Sequence, residues 1–299
     1  MIVHVLVSLC MKMLMQKGFT FPAEVSLVLS ELTILVPSVI YILIKRFDFE
    51  KDLGFRRIKT GSFFMCILLA VLLNPVASFV NVLSQLFVSN TLVQVSDELL
   101  GGSNAIVLFL ASVYGPFCEE FLFRSIFFNR YSVLSGSLRA GLISSLFFAL
   151  AHMNVNQAAY TFVLGFIFSV INRAAGSVYP SLIVHMCINV VNVFLLILMT
   201  SFNRAMGGQD IFEAAEAARK SDAIYIMAAG TLVAALISTA VAIPCIVWMA
   251  KHEGYFEDLR MMFSKERKKG RCFTLSSIAA VVFLLFMMFG LKPVLEIIG

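Results

Sequence analysis

Long apolar runs separated by short polar segments dominate the pattern of this chain. The runs are near the length of about 20 residues that an α-helix needs to cross a bilayer. Within each run the apolar residues follow one another and do not alternate with polar ones. They cover residues 2–16, 24–44, 61–89, 104–129, 139–153, 157–173, 178–200, 223–250 and 272–297. Because lipid requires each backbone group to be hydrogen-bonded within its own segment, these runs predict transmembrane helices.

The pattern therefore predicts an all-α, polytopic membrane protein with eight or nine transmembrane helices. The number depends on residues 2–16, a short run that carries His4 and Lys12 and that we interpret as an uncleaved first span. We find no internal repeat and no long polar stretch in the sequence, so we expect residues 1–299 to form a single integral-membrane domain.

Charge refines the predicted topology. Only 14% of the residues are charged and 60% are hydrophobic, whereas soluble proteins carry about 25% charged residues. The basic residues concentrate in loops of one parity, chiefly 45–60 and 251–271. The positive-inside rule then predicts a cytoplasmic N-terminus and, with nine spans, an external C-terminus. This distribution explains the net charge of +5 without a nucleic-acid partner, and the run 265–271 could contact anionic lipid headgroups.

Three of the apolar runs contain clusters of polar side chains. A charged side chain at the centre of a bilayer costs about 2.5–3.5 kcal/mol, so such residues are candidates for function. The clusters are Glu119-Glu120-Phe-Leu-Phe-Arg124, Phe148-Ala-Leu-Ala-His152 and His185-Met-Cys-Ile-Asn189.

Helical spacing separates the roles of the two glutamates. Residues four apart share a helix face, so Glu120 and Arg124 are expected to form an ion pair. Glu119 points about 100° away and has no such partner. A carboxylate without a cation, inside an apolar segment, is a candidate general base.

The polar residues on the later spans also follow helical spacing. His185 and Asn189 are one turn apart, and Ser181 and Asn192 would extend the same face towards the bundle interior. At 1.5 Å per residue, Glu119, His152, His185 and Asn189 all lie roughly 10–20 Å from the side of the basic loops. We therefore expect three spans to bring these groups to one layer of the membrane.

The types of residue present limit the kinds of catalytic site that the sequence could form. A GxSG serine motif and an HExxH zinc motif are absent, and all six aspartates lie outside the deep apolar runs. Carboxylates with histidines and an asparagine can activate water and stabilise an oxyanion, as amide hydrolysis requires. Two alternatives stay open: a zinc-dependent protease with Glu119, Glu120, His152 and His185 as ligands, and a non-enzymatic membrane scaffold.

The motifs EExxxR, FxxxH and HxxxN, in this order on successive spans, resemble the CAAX prenyl endopeptidase family. This family is also called the CPBP or ABI family of intramembrane glutamate proteases. The resemblance extends over about residues 104–200 and implies a four-helix catalytic core there, flanked by N-terminal spans in 1–89 and C-terminal spans in 223–297. It also implies a membrane-embedded peptidase without an obligatory metal cofactor.

Residue by residue, the resemblance implies that Glu119 activates water with help from His152. His185 and Asn189 would form the oxyanion hole, Glu120 and Arg124 would hold the site together, and Phe148 would pack beside them. The implied substrate is a peptide or lipidated protein within the membrane, prenylated or not, and the implied location is a bacterial cell membrane. Some bacterial relatives are linked to bacteriocin self-immunity, which the resemblance leaves as an alternative function.

Overall fold

The computed structural model describes residues 21–94, 99–207, 211–264 and 275–289, together with residues 7, 10, 11, 13, 14 and 17–19. Within these ranges the regular structure is helical and includes no strand. The helices are α1 (Ala23–Lys45), α2 (Thr60–Gln85), α3 (Thr91–Gln94), α4 (Asn104–Ser135), α5 (Ser137–Ala151), α6 (Val155–Ala175), α7 (Tyr179–Ala205), α8 (Ile211–Arg219), α9 (Ala223–Glu253), α10 (Phe256–Met262) and α11 (Leu275–Phe289).

The predicted number of eight or nine spans is not confirmed. Among the described residues, six helices are long and apolar enough to cross a membrane, namely α1, α2, α4, α6, α7 and α9. Helices α5 and α11 have 15 residues each, which is shorter than the usual span of about 20 residues. Most of the predicted span 2–16 lies outside the described residues. The all-helical, multi-pass membrane class is confirmed.

The loops rich in basic residues meet at one end of the helix bundle, which we call the basic end. The N–H of Val178 donates to the carbonyl of Gly54 at 2.9 Å, which joins the α1–α2 loop to the α6–α7 turn. Arg173 pairs with Asp258 at 2.5 Å, which joins α6 to α10. At the opposite end, Glu24 accepts a hydrogen bond of 2.8 Å from the N–H of Ser103.

Two apolar clusters form the interior. Helices α2, α6, α7 and α9 build the first cluster, which includes Leu69, Phe168 and Met249. Helices α1, α4, α5 and α11 build the second, which includes Phe123 and Phe148. The polar residues predicted from the sequence lie where these clusters meet, between α4, α5, α6 and α7.

Candidate active site

Helix α4 carries both glutamates in a short α-helical piece, Gly115–Glu120, between two π-helical segments. The segments are Leu110–Tyr114 and Phe121–Phe128. The first has a local cause: Pro116 has no N–H to donate, and the N–H of Gly115 reaches back to the carbonyl of Leu110 instead of continuing the α-helical pattern. Single π turns within α-helices often occur at functional sites.

Asn189 compensates for the backbone bond that the first π segment loses. The carbonyl of Ala111 would bond to the N–H of Gly115 in an α-helix, but that N–H is bonded to Leu110. Its π-helical partner would be Pro116, which has no N–H. The Asn189 side chain instead donates to the Ala111 carbonyl at 3.0 Å, so it ties α7 to the helix that carries the glutamates.

A double substitution tests this account of Asn189. We expect Asn189→Ala to lower stability by about 0.5–1.5 kcal/mol, because it removes a hydrogen bond to a partly buried carbonyl. Pro116→Ala restores an N–H within reach of Ala111, so the double variant should lose less than the sum of the two single losses. Thermal unfolding in detergent measures all three variants, and additive losses would contradict the proposed exchange of partners.

Glu120 is held by three groups in the interior. One carboxylate oxygen lies 3.3 Å from Nε of Arg124 and accepts a hydrogen bond of 2.6 Å from the Ser181 hydroxyl. The other oxygen lies 3.2 Å from Nδ1 of His185. Asn172 in turn fixes Ser181, because its amide nitrogen donates to the hydroxyl at 2.7 Å. Glu120 is therefore a structural anchor between α4 and α7.

Arg124 is completely buried against aromatic rings. Its guanidinium carbon lies 4.4 Å from the ring centre of Phe148 and 5.4 Å from that of Phe168. These faces attract a cation and complement the charge of Glu120. Gly165 allows α6 to approach, because a Cβ there would lie only 3.0 Å from both Arg124 and Phe148. Phe148 thus supports the cation in addition to the packing that the sequence predicts.

Glu119 lies between two histidines from different helices. Its Oε1 is 3.6 Å from Nε2 of His152 on α5, and its Oε2 is 3.6 Å from Nε2 of His185 on α7. These separations are longer than direct hydrogen bonds. The Nδ1 of His152 lies 2.9 Å from the Phe148 carbonyl, which can only accept, so this nitrogen carries a proton. Nε2 is then the nitrogen of the neutral ring that can accept one.

His152 owes its position to the end of α5. The residue caps the helix, and the following Met153 has a left-handed backbone (φ 51) that turns the chain. Asn154 then begins α6 by accepting a hydrogen bond of 2.7 Å from the N–H of Gln157. The histidine is therefore fixed by a tight α5–α6 turn.

The structure brings together most of the residues that the sequence singled out. Glu119, Glu120, His152 and His185 form one connected cluster, and Asn189 contacts the same helix two turns before Glu119. The predicted polar stripe on α7 is wrong at Asn192, whose side chain is exposed. Sequence reasoning missed Asn172, which lies in an apolar run without a recognisable motif. It also missed Glu31, although an acidic residue in the middle of the apolar run 24–44 was a usable signal.

The donor set does not favour the zinc alternative. Both oxygens of Glu120 are already engaged, one by the Arg124 ion pair and the Ser181 hydroxyl and the other by His185, so this carboxylate is not available as a ligand. In the part of the chain that the structure describes, no group of three or more His, Cys, Asp or Glu side chains is arranged to hold a metal ion.

A comparison with known protein families finds a match over the part of the chain that contains these site residues. Residues 101–191 match the family model described as type II CAAX prenyl endopeptidase Rce1-like. In this region the chain is similar to the Rce1-like family. This match includes every residue from Glu119 to Asn189 discussed above, and it confirms the resemblance found in the sequence. The description of the matched family is that of an endopeptidase.

One curated relative supports this assignment. The chain is 26% identical over 84 residues to the protein named "Putative membrane peptidase YdiL" of Bacillus subtilis (strain 168). The alignment covers 28% of this chain and 34% of the relative, so the chain spans about a third of the relative's length. No solved structure matches the chain significantly.

Proposed function

We propose that this protein is an intramembrane endopeptidase in which Glu119 activates the attacking water. One observation carries the proposal: Glu119 faces Nε2 of both His152 and His185, while the adjacent Glu120 is tied to Arg124. One carboxylate is thereby left for chemistry and the other for structure. The Rce1-like match over residues 101–191 supports the reaction class.

In the proposed reaction, Glu119 takes a proton from a water molecule as the water oxygen attacks the scissile carbonyl carbon. His152 orients this water with Nε2, because its Nδ1 is bonded to the Phe148 carbonyl. The proton held by Glu119 then passes to the leaving amine as the C–N bond breaks. The oxygen of the water thus enters the new carboxyl group, and one of its protons enters the new amine.

We assign the stabilisation of the oxyanion to His185 and Asn189. The Glu120 carboxylate lies at Nδ1 of His185 and orients the ring, so that Nε2 faces the substrate and, when the ring is doubly protonated, donates to the oxyanion. Asn189 has two N–H groups and uses one for Ala111, so the other is available as a donor. A peptide or lipidated protein within the membrane, prenylated or not, is the proposed substrate class.

The proposal is tested by comparing the membrane proteomes of cells that carry the wild-type protein or the Glu119→Ala variant. We expect new protein N-termini or short C-terminal peptides only with the wild type. Identical peptide products in both strains, together with an unchanged phenotype of the variant in a bacteriocin challenge, would favour a scaffold or self-immunity role.

We further propose that the basic end faces the cytoplasm of a bacterial cell, which leaves the N-terminus of α1 at the outer face. The basic residues near this end, including Arg57, support this orientation through the positive-inside rule. In a cysteine-free background, a cysteine at position 57 should be protected from an impermeant reagent in intact cells, and one at Ser221 should be labelled. Both side chains are exposed, so labelling of both from outside would contradict the orientation.

A further inference from the structure

Helix α1 supplies a third carboxyl group to the site, from Glu31. The carboxyl carbon of Glu31 lies 3.8 Å from the position that a Cβ would occupy at Gly115. Gly115 begins the α-helical piece that carries Glu119 and has no side chain of its own. Glu31 therefore covers the surface of α4 one turn before Glu119.

Helix geometry directs Glu119 towards the same place. Residues four apart lie on one face with their Cβ atoms about 5–6 Å apart, and side chains lean towards the N-terminus of their helix. The side chain of Glu119 thus extends over the turn that contains Gly115, where Glu31 lies. Consistent with this, Glu31 is among the titratable groups close enough to Glu119 to interact with it electrostatically.

In the part of the chain that the structure describes, no lysine or arginine is paired with Glu31. Its Oε2 is buried and has no hydrogen-bonding partner among the described residues. The titratable groups that face it from α4 are Tyr114, Cys118 and Glu119, none of which carries a positive charge. Arg124 is already paired with Glu120. Within the described ranges, Glu31 and Glu119 are therefore two neighbouring carboxyl groups without an arginine or lysine between them.

Two like charges in a site of low dielectric cannot both form easily, so such pairs retain a proton. We propose that Glu31 and Glu119 form a carboxyl pair that holds one proton at neutral pH. Glu31 is a positioning residue in this pair because it keeps the shared proton. Glu119 is thereby left ionised, and Glu119 accepts the proton of the water in the proposed reaction. The role in catalysis rests on the proposed function, but the shared proton does not.

Infrared spectroscopy of the purified full-length protein in lipid nanodiscs tests the shared proton. A neutral carboxyl group has a carbonyl stretch that ionised groups lack and that shifts in D₂O. We expect this band in the wild type at neutral pH and its loss in Glu31→Gln, because Glu119 between two histidines then ionises. Glu24→Gln is the matched control, since Glu24 lies on the same helix and accepts from the N–H of Ser103. This control should keep the band.

Either of two results would overturn the proposal: no neutral-carboxyl band in the wild type, or an unchanged band in Glu31→Gln. The first measurement needs no variant, so the proposal stays falsifiable even if Glu31→Gln fails to fold. A cleavage assay on the same samples separates the two proposals. If the wild type has the band but cleaves no substrate, the proposed function fails and the shared proton stands.

Discussion

Glu119→Gln is expected to lower turnover by about 10²–10⁴-fold, the usual contribution of a general base. The amide has the same shape as the carboxyl group but cannot take a proton from water. Glu119 forms no short hydrogen bond with either histidine, since both separations are 3.6 Å. The substitution should therefore leave the fold and its thermal stability nearly unchanged.

The measurement is the rate of cleavage by purified protein of a substrate found in the proteome comparison. Glu213→Gln on α8 is a suitable control, because it makes the same chemical change at an exposed position outside the site. The control should have wild-type activity. A Glu119→Gln variant that retains its turnover would remove Glu119 from the mechanism.

Glu120→Gln is expected to act on stability instead. The substitution leaves Arg124 without its carboxylate, and both side chains are buried, with exposures of 0% and 1%. Breaking a buried pair by removing one partner costs about 3–5 kcal/mol. Thermal unfolding in detergent should therefore show a clear loss of stability relative to the wild type.

Two further variants make this result specific. Asp258→Asn breaks the partly exposed pair with Arg173 and should cost no more than about 1 kcal/mol. The double variant Glu120→Gln with Arg124→Met removes the unpaired charge, so it should recover much of the loss. If Glu120→Gln and Asp258→Asn destabilise equally, Glu120 is not the anchor between α4 and α7.

The helices could be predicted from the sequence because apolar runs determine them almost directly. The predicted runs 24–44 and 223–250 correspond closely to α1 and α9. The total number of spans was harder to predict, since a run of about 15 residues such as α5 is too short to decide between a span and a buried helix. Its end at His152 depends on the left-handed Met153, which no periodic pattern indicates.

Within the site, contacts between neighbouring turns were predictable and contacts between helices were less so. The Glu120–Arg124 pair follows from helical spacing alone. The first π segment involves Asn189 of another helix in addition to the local Pro116, so the local sequence alone does not specify it. Asn192 was misplaced because it has the periodicity of the inner face, but the buried position in this turn of α7 is the next residue, Val193.

Cleavage in isotopically labelled water tests the central claim most directly. The purified wild-type protein, in buffer with a chelator, is given its substrate in H₂¹⁸O for a single turnover, and the products are weighed by mass spectrometry. Activation of water by Glu119 predicts one ¹⁸O atom in the new carboxyl group and no loss of rate from the chelator. An unlabelled first product would instead mean that an oxygen of the protein attacks, and activity that is lost with the chelator and restored by zinc would establish the metal-dependent alternative.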